Sequence, residues 1–130
     1  MQSHKPPHHN AVSPYLLVKD VKTLIDFLCR TFTAVELSRK AAPDGSIKHA
    51  EVQIDDSVVM MGERPDGGSP VICSTHVYVP DVDACYSNAL AAGGISISEP
   101  KDQPYGDRTA GVKDPEGNIW WIGTHLGNAS

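Results

Sequence analysis

The sequence predicts an α+β fold made of two β-α-β-β-β modules, and three observations carry that prediction. A strand-like stretch ends at Val18 and another at Val79, 61 positions apart. Each is followed two residues later by an aspartate suited to cap a helix, Asp20 or Asp81. The same offset of 61 links the turn and strand "DDSVVMM" from Asp55 with "EGNIWWI" from Glu116. Two matches at one offset, with the same elements between them, point to a duplication.

The elements follow in order. "YLLV" from Tyr15 alternates and reads as a strand. After Asp20 an apolar stripe at helical spacing, Val21, Leu24, Ile25 and Leu28, predicts the first helix. "AVELSRK" (34–40) and "IKHAEVQI" (47–54) read as strands joined by the turn "PDGS", and "SVVMM" completes the module. In the second half "HVYV" from His76 is the strand. Val82, Cys85, Tyr86, Ala89 and Leu90 mark the helix, which should stop at Gly93–Gly94. "GISISEP" (94–100) and "TAGVK" (109–113) follow, joined by a longer polar loop with Tyr105, Gly106 and Asp107. "DPEGN" is a tight turn before the last strand, and it lacks the acidic spacing of a calcium loop. The Gly/Pro-rich "GERPDGGSP" (62–70) separates the halves. The expected organisation is a disordered tail at 1–10, a first module at 11–62, a linker at 63–70, a second module at 71–126 and a tail at 127–130, all in one structural domain.

Composition limits the function. The chain has 130 residues and a formal net charge of -5, which argues against a nucleic-acid partner that needs a basic face. No apolar run approaches the ~20 residues of a membrane span. The start "MQSHKPPHHN" has no apolar segment and reads as a polar tail, neither a secretory signal nor a metal site. Cys29, Cys73 and Cys85 have no metal-type spacing, and their odd number points to reduced thiols in a cytoplasm. No phosphate-cradling glycine motif and no Ser-His-Asp or Cys-His nucleophile set appears.

The pieces "PYLLVKDV" and "IDFL", "APDG", "HAEVQI" and "DSVVMM", "HVYVPDVDA", "AAGG", "YGDR" and "DPEGNIWWIGTH" occur in this order over about residues 11 to 126. Together they resemble the vicinal-oxygen-chelate superfamily, the glyoxalase/bleomycin-resistance/dioxygenase fold, and in particular its PhnB-like branch. Thr33 stands where relatives usually have glycine, and Leu28 replaces a frequent tyrosine. The resemblance implies two modules related by pseudo-twofold symmetry. Their curved mixed sheets would enclose a cavity, with the helices outside. It also implies that homodimers are common, and the free edges of such sheets supply a physical motive for pairing.

Alternation then assigns faces. Leu16, Val18, Val77, Val79 and Trp120 should lie under the helices. Ser13, Tyr15, Leu17, Ser74, His76, Tyr78 and Trp121 should face the cavity. The superfamily's metal enzymes hold their ion at four inward positions, which the resemblance maps onto Ser13, Met60, Ser74 and Trp121. None of these is a normal ligand for a catalytic divalent ion, so no metal or other cofactor is expected there. His49 and Glu51, two apart on one strand, offer with His76 an alternative facial triad, or an acid–base pair in which a histidine titrates near neutral pH. Arg108 is a candidate for gripping an anionic group, against a salt bridge to Asp107 or Glu51. Tyr105 would cap the cavity, or simply sit at the surface beside Pro104.

The expectation is a protein that binds a small, partly aromatic molecule without a metal. Tyr15, His49, Glu51, Met60, His76, Tyr78, Tyr105, Arg108 and Trp121 would line the site. The alternatives are a metal-dependent lyase, isomerase or dioxygenase using His49, Glu51 and His76, and a dimeric scaffold without a specific ligand.

Overall fold

The computed structural model describes residues 4–65 and 68–127. Residues 1–3 of the expected tail at 1–10, residues 66 and 67 of the expected linker, and residues 128–130 of the expected tail at 127–130 lie outside the described residues. The first module contains β1 (Tyr15–Val18), α1 (Val21–Phe32), β2 (Val35–Ala41), β3 (Ile47–Ile54) and β4 (Ser57–Glu63). The second contains β5 (Ser74–Tyr78), α2 (Val82–Ala91), β6 (Ile95–Asp102), β7 (Asp107–Lys113) and β8 (Ile119–His125). Each module forms one four-stranded mixed sheet, in the orders β1-β4-β3-β2 and β5-β8-β7-β6. In each, the first strand runs parallel to the last and the other pairings are antiparallel.

The helices start where the aspartates predict. Asp20 accepts the Thr23 backbone N–H at 3.3 Å, and Asp81 accepts that of Ala84 at 3.1 Å, each satisfying a donor the helix leaves open. α2 ends at Ala91, and Gly93 turns the chain with φ 101°. β7 starts at Asp107, so that residue belongs to a strand and not to the polar loop expected from sequence. β4 runs through Glu63, one residue into the expected linker. Leu90, placed in the apolar stripe of α2, is instead 40% exposed.

α1 ends differently from α2. Its cap, Thr33, takes the left-handed conformation at φ 55°, where a β-branched side chain crowds the backbone. Thr33→Gly should therefore stabilise the fold by about 1 kcal/mol, the left-handed penalty less the entropy that glycine loses on folding. A urea melt checks this; a destabilised variant would show that the threonine side chain makes a contact worth more than its strain.

The core lies between the helices and one face of each sheet. Leu16, Val18, Val52, Met61, Ala110, Val112, Trp120 and Ile122 are buried there with Leu24, Phe27, Leu28 and Val82 of the helices. The modules interlock across this layer. α1 packs on α2, and Phe32 of α1 meets the Trp120 ring of β8 at 5.5 Å between centroids. Arg30 donates to the Ala91 carbonyl at 3.0 Å. The opposite face of each sheet is open. Among the described residues no helix is long and apolar enough to cross a membrane.

Candidate functional site on the open sheet faces

Strand register fixes which side chains share the open faces. On the first sheet Tyr15 pairs with Met60, and Met60 with Glu51, so these three lie together. On the second, His76 pairs with Trp121, and Trp121 with Gly111. The face assignments from alternation agree with burial: Leu16, Val18 and Trp120 are buried, whereas Tyr15, Leu17, Tyr78 and Trp121 are 45%, 39%, 58% and 38% exposed.

Trp121 is held by its partners. Its indole Nε1 donates to Ser74 Oγ at 3.0 Å. Its ring lies over Gly111, where a Cβ would sit 2.5 Å from the ring carbons, so a larger residue there would push the indole away. A pair of glycines, Gly62 and Gly123, repeats the offset of 61 and was not singled out in the sequence. A Cβ at Gly62 would lie 3.2 Å from the Tyr15 hydroxyl, and one at Gly123 would lie 3.0 Å from His76 Nε2. Each glycine makes room for a ring on the open face of its own module.

A polar chain crosses the first sheet. The Tyr15 hydroxyl lies 3.3 Å from His49 Nδ1, His49 Nε2 donates to Glu51 at 2.8 Å, and His9 Nε2 donates to the other Glu51 oxygen at 2.7 Å. His9 also faces the Pro7 carbonyl through Nδ1 at 2.9 Å. Both its ring nitrogens meet acceptors, an arrangement that favours the imidazolium. Its pKa is accordingly raised above 6.5, by the Pro7 carbonyl first and the Glu51 carboxylate next. Glu51 is held below 4.5, by the His49 hydrogen bond first, against the opposing effect of burial.

The second sheet carries a related set. The Tyr78 hydroxyl donates to Asp107 Oδ2 at 2.8 Å and His125 Nδ1 donates to Oδ1 at 2.8 Å. Hydrogen bonds from His125 first, then Tyr78, lower the Asp107 pKa, and Asp107 in turn raises that of Tyr78. The His76 ring packs edge-on against Tyr78 at 4.6 Å.

His9, Asp107 and His125 are not among the site residues expected from sequence, where Asp107 enters only as a loop residue and a possible partner of Arg108. His9 lies in the segment expected as a disordered tail, yet part of that segment is placed on the first sheet. An open pocket of about 400 Å³ lies there, lined by His4, Pro6, His9 and Asn10 of the segment together with Ser13 and Met60. The His9–Glu51 pair should have a pH window. Its acid side is lost as pH falls through the lowered Glu51 pKa, and its basic side as pH rises through the raised His9 pKa. Proteolysis of residues 4–10 should accordingly be slowest between about pH 5 and 6.5 and faster at pH 8. A rate that ignores pH would mean that His9 does not hold the segment.

Two sequence expectations need correction. Arg108 points to the helix side, where it donates to both Asp83 oxygens at 2.8 and 3.0 Å and to Asp102 at 3.0 Å. Its strand register explains this: Arg108 pairs with Thr124 and shares a face with Ala110 and Val112, one residue out of phase with the open side. Its partners are thus Asp83 and Asp102, in place of Asp107 or Glu51. The triad of His49, Glu51 and His76 is also not assembled. His49 and Glu51 belong to one sheet and His76 to the other, and among the described residues no group of three His, Cys, Asp or Glu side chains could hold a metal ion. Tyr105 is exposed in the turn between β6 and β7.

The four positions that hold the ion in metal-dependent members of the resembling superfamily do not fit one here. Trp121 and Ser74 are bonded to each other. Ser13 Oγ is buried without a partner, and a lone hydroxyl with the Met60 thioether makes no site for a hard cation. The three cysteines are free thiols, and burial pushes that of Cys85 up to about 12, so it stays protonated and unreactive.

Comparison with known proteins places this geometry. Residues 7–122 match the family model described as the Glyoxalase/Bleomycin resistance protein/Dioxygenase superfamily. An uncharacterised protein of Mycobacterium bovis is 38% identical over 126 residues, covering 87% of this chain and 82% of its own. The crystal structure of TioX from Micromonospora sp. ML1 is similar, with a TM-score of 0.74 at 30% identity over 90% of this chain and 99% of that one. TnmS3, an antibiotic binding protein from Streptomyces sp. CB03234, shares the fold with a TM-score of 0.68 at 22% identity, over 90% and 99% of the two chains.

Proposed function

The chain belongs to the glyoxalase/bleomycin resistance protein/dioxygenase superfamily, and from that premise we propose that it binds a small, partly aromatic molecule on its open sheet faces, without a metal. The observation that carries this reading is Trp121. An indole stands where the superfamily's metal enzymes would need a carboxylate, laid over Gly111 and held by Ser74, with its ring partly open to solvent. A flat, pre-positioned aromatic surface suits stacking on a flat ligand. Tyr15, Met60, His76 and Tyr78 extend that surface, and the Tyr15–His49–Glu51 chain offers polar contacts beside it. Tyr105 adds a ring at the rim. The antibiotic-binding neighbour TnmS3 has the same fold, which makes binding without chemistry a natural use of this scaffold.

The reading includes a second copy of the chain. The open faces leave Tyr15, Leu17, Tyr78 and Trp121 in water, and β2 and β6 end each sheet with an unpaired edge. Covering these faces in a homodimer would enclose the ligand and bury the apolar surface. The free thiols suit a reducing cytoplasm, where this reading places the protein.

The test uses tryptophan fluorescence, because Trp120 is buried and Trp121 is the ring a ligand can reach. A panel of flat aromatic molecules should contain binders that quench the emission. By calorimetry, Trp121→Ala should weaken such a binder by about 1–2 kcal/mol, the scale of an aromatic contact. An unchanged affinity would sink the assignment of the open face, and a panel with no binder at all would favour the scaffold reading.

A further inference from the structure

The two modules meet along a seam that runs once on each side of the pseudo-twofold axis, and the two runs differ. On one side Glu116, in the turn between β7 and β8, accepts hydrogen bonds from the backbone N–H groups of Lys19 and Asp20. That carboxylate grips two donors and ties the second module to the entry of α1. On the other side the residues 61 positions away are Asp55 in place of Glu116, and Pro80 and Asp81 in place of Lys19 and Asp20. Pro80 has no N–H to give. Asp55 is one methylene shorter than Glu116. Among the described residues, no hydrogen bond or ion pair reaches the Asp55 carboxylate.

This side of the seam stays open as a cleft of about 690 Å³, within the range of small-molecule sites. Phe32, Ile54, Val79 and Pro80 supply its apolar lining, and Thr33 and the exposed Asp55 line it beside them. Tyr78 and His125 also line it, and the polar atoms they point at Asp107 are already bonded. Asp55 is therefore the free charged anchor, beside a wall with no charge of its own.

We propose that this cleft is a binding site distinct from the Trp121 surface, which it adjoins at Tyr78, and that it takes a flat apolar molecule carrying an amidinium or guanidinium group. The matching position across the pseudo-twofold axis already receives two N–H donors on one carboxylate. An amidinium supplies the same pair of donors, with the charge that makes such bidentate contacts strong. Its apolar body fits the wall of Phe32, Ile54, Val79 and Pro80.

The probe is benzamidine, titrated into the isotope-labelled chain and followed by amide NMR. Shifts should concentrate at Thr33, Asp55 and Thr124, with the Trp121 indole signal still. Asp55→Asn, an exposed substitution, should weaken binding by about tenfold or more, and neutral benzamide should bind at least about tenfold less tightly than benzamidine. The pair Asp55→Glu with Pro80→Lys restores the residue types of the closed side and should abolish binding. If that pair fails to fold, Asp55→Asn alone decides. Absence of saturable binding, shifts centred on Trp121, or an affinity indifferent to Asp55→Asn would overturn the proposal. Because the open-face reading is tested at Trp121 with uncharged aromatics, either idea can fail without the other.

Discussion

Trp120→Ala should remove about 3–5 kcal/mol of stability, the cost of truncating a fully buried aromatic. Trp120 has no exposed surface, packs against Phe32 from the other module, and donates its indole N–H to Asp114 Oδ2 at 2.8 Å. The substitution leaves a cavity between modules and a carboxylate without its partner. For a domain whose total stability is on the order of 5–15 kcal/mol, that is a large share. Trp121→Ala, one residue along, loses only a half-exposed ring and should melt close to wild type. Paired urea melts give the answer. If Trp121→Ala unfolds the protein and Trp120→Ala does not, the strand register across β8 is wrong by one.

Asp114→Ala should be comparably damaging, at about 3–5 kcal/mol, from two or three buried donors left unpaired at about 1–3 kcal/mol each. Asp114 is 2% exposed. Its Oδ1 accepts the backbone N–H groups of Glu116 at 2.8 Å and Asn118 at 3.0 Å, while Oδ2 takes the Trp120 indole. Burial raises its pKa above 3.8, against the hydrogen bonds that favour the charged form. The folded state therefore holds this proton more tightly than the unfolded chain. The contribution falls as pH rises from 3.8 through the folded pKa, and is level above it. Asp114→Asn should remove that slope from the acid-side stability curve. Because Asp114 and Trp120 share a bond, their truncations should not add. A double variant costing the full sum of the two would show that the 2.8 Å contact contributes nothing.

The fold was readable because duplication wrote its landmarks twice. Asp20 and Asp81 both cap helices, and the strand faces around Leu16 and Trp120 follow from alternation with one side buried. The site was readable only where it depends on one strand. Trp121 and Tyr15 came from alternation, but Arg108 did not, because β7 begins earlier than its apolar run suggests and its first three residues, Asp107 to Thr109, are all polar, so no apolar side chain marks their phase. His9, Asp107 and His125 join the polar clusters through contacts 42, 29 and 18 residues apart in sequence, which no local pattern encodes. The "DPEGN" turn was recognised as a turn, yet nothing in its spelling says that Asp114 is the buried acceptor for the tryptophan six residues on.

The unequal seams bear on how such a chain arises. A dimer of single modules must build both of its contacts from the same residues, so any change on one side is copied to the other. Once the two modules are joined in one gene, that constraint is gone. A glutamate can fasten one side while a proline releases its counterpart, as at Glu116 and Pro80. The fused chain can then evolve a firm flank and an open one independently, a division of labour that a symmetric dimer of modules has no means to encode.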